Sequence, residues 1–167
     1  MSVRSERRER RYNFISSAVL FSFTFLVIIM FFHFIRFPKV DGSSMEPSFH
    51  DRDTLVMLYT NSLYTIKNDD VVVLWSDTLG EYIIKRVVGV PGDRIEIKEG
   101  QVYRNGVRLY ETYLNSHLWA EVMDAVDVTV PDGHVYVMGD NRDDSTDSRV
   151  IGFIEIKCVF GKVLFAV

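Results

Sequence analysis

The chain has 167 residues, 47% of them hydrophobic and 25% charged, and carries a net charge of −4. That length accommodates one domain plus a short appendage, and the mild acidity excludes a broadly basic nucleic-acid-binding surface. A lone cysteine, Cys158, excludes an intramolecular disulfide and any cysteine-type zinc site.

The balanced totals hide two unlike parts. Residues 1–11 hold five arginines (Arg4, Arg7, Arg8, Arg10, Arg11) against Glu6 and Glu9, while the remainder is acidic overall. From Phe14 to Ile35 the chain runs 22 residues without Asp, Glu, Lys or Arg. At about 1.5 Å per residue a helix over this run reaches roughly 33 Å, enough to cross a bilayer core. A core helix of a soluble domain would show a polar face over such a length. A cleavable secretory signal would end in small residues rather than His33-Phe34-Ile35-Arg36-Phe37. The arginine-rich tail predicts a cytoplasmic N-terminus, with Tyr12 as an interfacial aromatic. The expected organisation is a cytoplasmic tail over 1–11, a transmembrane anchor over 12–36 and an extracytoplasmic β domain over 37–167.

Just beyond the anchor lies Asp41-Gly42-Ser43-Ser44-Met45-Glu46-Pro47-Ser48. A serine held between a glycine-bearing turn and a proline suits a nucleophile, but a hydroxyl needs a base at neutral pH. None of the four histidines (His33, His50, His117, His134) stands in a catalytic pattern.

Short β-type runs then alternate with turn chemistry. Thr54 to Tyr59 and Val71 to Trp75 are the first two, entered from Asp51-Arg52-Asp53 and Asn68-Asp69-Asp70. Tyr82 to Val90 is the third, closed by Pro91-Gly92-Asp93, and it carries Lys85 after apolar residues. Burial disfavours an ammonium ion, so Lys85 is the candidate base, and Ser–Lys pairs are a known variant of serine catalysis. Arg94 to Lys98 alternates strictly and predicts a half-exposed strand. Gln101 to Tyr103 and Val107 to Leu109 flank Arg104-Asn105-Gly106, a hairpin signal. Leu118 to Ala125 predicts a helical turn or two. Val128 to Val130, His134 to Met138 and Lys157 to Phe165 complete the strands. The alternation around Cys158 predicts a core position for the thiol. Trp75, Trp119, Phe160 and Phe165 are expected mostly in the core, with contact of some of them with lipid headgroups as the alternative.

Gly139-Asp140-Asn141-Arg142-Asp143-Asp144-Ser145-Thr146-Asp147-Ser148-Arg149 follows the His134–Met138 strand. Its carboxylates suggest a calcium loop, but it lacks the spacing and terminal Glu of an EF-hand, and its arginines would compete with a cation. As the wall of a site it fits better. Asp–Arg pairs would rigidify it, Asp140, Asn141 and Arg142 would serve as scaffold, and a hydroxyl such as Ser145 could orient a neutral lysine.

On these stretches the chain resembles the bacterial type I signal peptidases, Ser–Lys enzymes that remove signal peptides from secreted proteins. Gly42-Ser43-Ser44-Met45-Glu46-Pro47 is similar to the family's nucleophile motif, and Asp53-Thr54-Leu55-Val56 and Asp70-Val71-Val72-Val73 to the strands that follow. Lys85-Arg86-Val87-Val88-Gly89-Val90-Pro91-Gly92-Asp93 is similar to its lysine motif, and Gly139 to Arg149 to its third.

The resemblance implies a fold of antiparallel sheets, all-β, behind one N-terminal transmembrane helix. It implies Ser44 as nucleophile, Lys85 as general base and the Ser44 N–H as an oxyanion donor, with any second donor from the Gly42 side. Some family members carry a serine at the Gly42 position whose hydroxyl helps there; that help is absent here and is not transferred to Ser43. Ser145 would hydrogen-bond the lysine, and Asp147 and Arg149 would form an ion pair nearby. The family prefers glycine where this chain has Arg52 and Asp69, and threonine where it has Ser48. Lys85, rather than histidine, argues for the bacterial type over eukaryotic and archaeal relatives.

Val40, Met45 and Ile84 flank the pair in sequence and are candidates to line shallow pockets for a small-x-small recognition sequence. No metal or other cofactor is expected. The expected partners are secretory preproteins, the lipid bilayer and the secretion translocon, with no nucleic acid. Either a general enzyme or one dedicated to a subset of secreted or surface-fibre proteins fits. A non-catalytic assembly factor would be signalled by a missing Ser or Lys, and a self-cleaving repressor by a DNA-binding segment where the anchor stands.

Overall fold

The structure is a computed structural model that describes residues 3–59, 64–114 and 125–167, with side chains from residue 9 onward. It divides into two units, Met1–Ile35 and Arg36–Val167. The first is helix α1 (Val3–Phe34), whose stretch Glu9–Phe34 is apolar and long enough to cross a membrane. Large side chains are exposed all along it, among them Phe14, Val19, Leu26 and Phe31. Two of its hydroxyls are satisfied within the helix: Ser16 Oγ donates to the Asn13 carbonyl at 3.1 Å and Thr24 Oγ1 to the Leu20 carbonyl at 2.9 Å. Internal satisfaction is what a hydrocarbon surrounding demands of polar groups. The helix begins inside the arginine-rich segment, earlier than the apolar run alone implies.

The second unit is built from antiparallel sheets. Its strands are β1 (Ile35–Arg36), β2 (Leu55–Tyr59), β3 (Val71–Ser76), β4 (Glu81–Gly89), β5 (Arg94–Lys98), β6 (Gln101–Arg104), β7 (Val107–Arg108), β8 (Val126–Thr129), β9 (His134–Met138), β10 (Ile154–Glu155) and β11 (Val159–Ala166). The larger sheet runs β1-β2-β11-β3-β4-β9-β10 and the smaller β7-β6-β5-β8. A short helix, α2 (Ser148–Ile151), and a 3-10 turn (Ile156–Cys158) connect β9, β10 and β11.

The apolar run Val71-Val72-Val73-Leu74 is explained by burial on both faces of β3. Val71 and Val73 pack with Val40, Met45, Leu55, Met57 and Val163. Val72 and Leu74 pack on the other side with Ile83, Val87, Val135, Val137 and Val159. A third cluster joins Val88, Tyr136 and Met138 to Ile95, Ile97 and Val102 of the smaller sheet. Gly89 sits at that crossing, where an added Cβ would lie 2.8 Å from Ile95 Cδ1. The Asn105-Gly106 turn has φ of 53° and 78°, the left-handed pair a tight hairpin requires.

Three expectations need correction. Strand β5 is not half-exposed: Ile95, Glu96 and Ile97 are all buried, and the Glu96 carboxylate is accompanied by Lys98 Nζ at 2.8 Å and Arg94 Nη2 at 3.6 Å. Cys158 lies in the 3-10 turn rather than a strand and is only half-buried. Phe160 and Phe165 are exposed, and Trp75 is half-buried. The rings pack on one another along the sheet surface, with Trp75–Tyr82, Tyr82–Phe160 and Tyr59–Phe160 edge-to-face at 5.0, 4.7 and 6.4 Å. Trp119, His117 and the predicted turn from Leu118 lie outside the described residues, apart from Ala125.

Candidate active site

The antiparallel register of β3, β4 and β9 builds the site. Lys85 pairs with Val72, and the next residue, Arg86, pairs with Met138 at the end of β9. The chain therefore leaves β9 beside Lys85 and enters the polar loop 139–149 there. Arg86 ties the loop down through two hydrogen bonds to Asp140, Nε to Oδ1 at 2.8 Å and Nη2 to Oδ2 at 2.6 Å. Its guanidinium also lies 3.9 Å from the Tyr113 ring centroid. Arg142 is bound to Glu111, with both side chains buried.

Ser44 stands in the turn between Val40 and Phe49. Val40 and Met45, at 4% and 1% exposure, anchor both sides of that turn in the core. The Ser43 carbonyl accepts from the Glu46 N–H at 3.0 Å, closing the turn. Lys85 Nζ lies 2.7 Å from Ser44 Oγ and donates to its neighbour's carbonyl, Ile84 O, at 2.9 Å. Burial pushes the Lys85 amine below the usual lysine range. The carboxylates of Asp147 and Glu81 oppose that shift, and the Arg149 guanidinium supports it. A hydroxyl in hydrogen-bond reach of a buried, easily deprotonated amine is the arrangement nucleophilic catalysis needs.

Asp147 and Arg149 form the expected ion pair, buried, with Nε–Oδ1 and Nη2–Oδ2 both at 2.8 Å. Asp147 also accepts from the Gly139 N–H at 2.9 Å and caps α2 through the Arg149 N–H at 3.2 Å. Two implied roles are not seen. Ser145 Oγ makes no bond to Lys85; it is buried without a hydrogen-bond partner among the described residues, although Ser145 lines the same cleft. The Gly42 N–H is engaged by Asp51 Oδ1 at 3.0 Å, so Gly42 supports the turn instead of offering a free donor. Its φ of +91° makes that position one for glycine.

Sequence reasoning missed Asp51, whose signal is only an aspartate nine residues past Gly42. It also passed over Asp144, which accepts from Ser43 Oγ at 2.6 Å. A cleft of about 420 Å3 surrounds the pair, lined by Val40, Ser44, Met45, Ile84, Lys85 and Ser145 among others. Met45 reaches it only marginally, being nearly all in the core. Among the described residues no cluster of His, Cys, Asp and Glu is assembled to hold a metal.

The family model for signal peptidase, peptidase S26, matches residues 12–167. The chain belongs to the signal peptidase family. It is 35% identical over 142 residues to signal peptidase I of Bacillus amyloliquefaciens, covering 80% of this chain and 75% of that one. It is 32% identical over 157 residues to signal peptidase I S of Bacillus subtilis (strain 168), covering 88% and 84%. The crystal structure of a signal peptidase I from Enterococcus faecalis V583 superposes with a TM-score of 0.54 at 31% identity, covering 60% of this chain and 98% of that one. This signal peptidase is accordingly a hydrolase and a serine endopeptidase, with an N-terminal apolar helix that fits membrane anchoring.

Proposed function

We propose that the chain is a single-pass membrane enzyme that removes signal peptides from secretory preproteins through a Ser44–Lys85 dyad. The observation that carries this reading is the 2.7 Å separation of Lys85 Nζ and Ser44 Oγ, with the amine buried. Neutral Lys85 takes the Ser44 proton as Oγ attacks the scissile carbonyl, giving a tetrahedral oxyanion held by the Ser44 N–H. Collapse breaks the C–N bond, and Lys85 returns the proton to the leaving amine. Water, deprotonated by Lys85, then hydrolyses the acyl-serine and frees the signal peptide's new carboxyl end.

Ile84 offers the cleft apolar surface suited to small side chains, with Val40 and Met45 buried just behind it, which supports cleavage after a small-x-small sequence. Asp147, Arg149 and Ser145 shape the lysine's surroundings, and Gly42 the turn. The arginine-rich tail supports a cytoplasmic N-terminus and an extracytoplasmic catalytic unit in a bacterial cell membrane.

The test is incubation of the detergent-solubilised protein with a preprotein bearing an Ala-x-Ala site, followed by sequencing of the new N-terminus. Ser44→Ala and Lys85→Ala should each abolish cleavage while leaving the fold intact. Wild-type cleavage by either variant would overturn the mechanism.

A further inference from the structure

Two consecutive carbonyls of the nucleophile turn are held by one residue of the third motif. Asn141 Nδ2 donates to the Ser43 carbonyl at 3.3 Å, and the Asn141 backbone N–H donates to the Ser44 carbonyl at 3.0 Å. We infer that Asn141 is a positioning residue for the oxyanion hole, fixing the direction in which the Ser44 N–H points.

The reason is the geometry of the peptide unit. The Ser43 carbonyl and the Ser44 N–H belong to one planar trans amide and point in opposite directions. Tying the oxygen to Asn141 on one side commits the N–H to the other. Rotating that peptide would break the Asn141 bond and also the bond from the Glu46 N–H to the same oxygen. The following peptide is restrained in the same way through the Ser44 carbonyl.

The surroundings are built around this contact. An added Cβ on Gly139 would come within 2.5 Å of the Ser44 carbonyl oxygen, so the loop backbone approaches the turn more closely than a side chain allows. Ser43 Oγ donates to Asp144 Oδ2 at 2.6 Å, and the Asp144 N–H donates to the Asn141 carbonyl at 3.2 Å, which locks the loop against the turn a second time. On the other flank the Gly42 N–H is committed to Asp51. The residue at 141 must offer a side-chain donor of asparagine's length. Aspartate would set a carboxylate against the Ser43 carbonyl, and alanine would leave that oxygen with the turn bond alone.

This inference rests on the reading of Ser44 as nucleophile, so the test must separate the two. Asn141→Asp, Asn141→Ala and Ser44→Ala are made in the full chain in detergent micelles and assayed on a peptide with an Ala-x-Ala site. The Asp variant keeps the side chain's size and the backbone N–H but replaces the donor with a negative charge, so the neutral Ala variant carries the pH comparison. Both 141 variants should lose roughly 10- to 100-fold in kcat, less than or equal to the loss of a whole oxyanion donor, with KM within about twofold. Affinity for a substrate-derived peptide aldehyde, whose adduct carries the oxyanion, should fall in parallel with kcat/KM. Affinity for the cleaved product peptide should not move in either variant, nor should the acid limb of the pH–rate profile in Asn141→Ala.

Unchanged kcat in the Asp variant, unchanged aldehyde affinity, or equal loss of product and aldehyde binding would overturn the inference. So would unfolding of both 141 variants, which would assign Asn141 to the fold. An inactive Ser44→Ala beside a fully active Asn141→Asp sinks this inference alone; an active Ser44→Ala sinks the reading beneath it.

Discussion

Arg86 and Asp140 make a two-pronged pair, at 2.8 and 2.6 Å, that fastens the lysine-bearing strand to the loop over the nucleophile turn. The Asp140 side chain is fully buried and that of Arg86 is 12% exposed. Removing one partner from such a pair leaves the other charge in a poor solvent, which typically costs about 3–5 kcal/mol. Asp140→Ala should destabilise the catalytic unit by about that amount in denaturant unfolding. Arg86→Lys should cost less, on the order of 1–3 kcal/mol, because an ammonium keeps the charge but loses the fork and the stacking on Tyr113.

The buried Lys85 predicts a pH dependence of both activity and stability. Under the proposed dyad mechanism the amine must be neutral, so kcat/KM should rise with pH through a lysine titration placed below the ordinary 10.5. Stability follows from proton binding: between the lowered folded value and 10.5 the unfolded chain binds a proton that the folded chain does not. Stability therefore rises with pH across that window. Lys85→Met should raise the unfolding temperature at neutral pH, and the gain should shrink as pH approaches 10.5. A gain that stays constant from neutral pH to above 10.5 would contradict the burial account.

Charges around the lysine should tune the acid limb of the rate profile in opposite senses. Arg149 holds the Lys85 amine down and Asp147 holds it up. Arg149→Met should move the limb to higher pH, because Asp147 is left to favour the ammonium form; Asp147→Asn should move it to lower pH. Arg149→Met should also destabilise the fold, since both side chains of the pair are buried.

Arg52 has φ of 70° in the turn that follows the nucleophile segment. A left-handed backbone costs a residue with a Cβ roughly 1–2 kcal/mol. The contact of Arg52 with Asp51, at 3.5 Å, is solvent-exposed and contributes little. Arg52→Gly should therefore stabilise the unit by about 1 kcal/mol, offset in part by the greater freedom of glycine in the unfolded chain. Thermal unfolding in the same detergent reads this directly. Asp69, also at φ 70°, is a less clean test because its carboxylate lies 3.8 Å from Arg104.

Much of this was legible in the chain. Strand positions followed from short apolar runs bounded by turn residues, and Asn105-Gly106 specified its hairpin, because these signals are local. The apolar helix was equally plain, since its length and lack of charge satisfy a requirement of the bilayer. Turn positions where the family prefers glycine, Arg52 and Asp69, proved to be left-handed in the backbone.

What the sequence alone determined was the apolar helix, most of the longer strands and the three motifs to which the chemistry is assigned, all short-range patterns of residue type; α2, β10 and the 3-10 turn were not among them. Only the tertiary structure decided which polar groups meet. Asp51 takes the Gly42 amide, Asn141 bridges Ser43 and Ser44, and Ser145 makes no hydrogen bond to Lys85. It also decided that Phe160 packs in an aromatic row on the sheet surface instead of the core. Such pairings depend on sheet register and on loops brought together from distant parts of the chain. One residue of register moves a side chain to the opposite face, and no local pattern encodes where two loops converge.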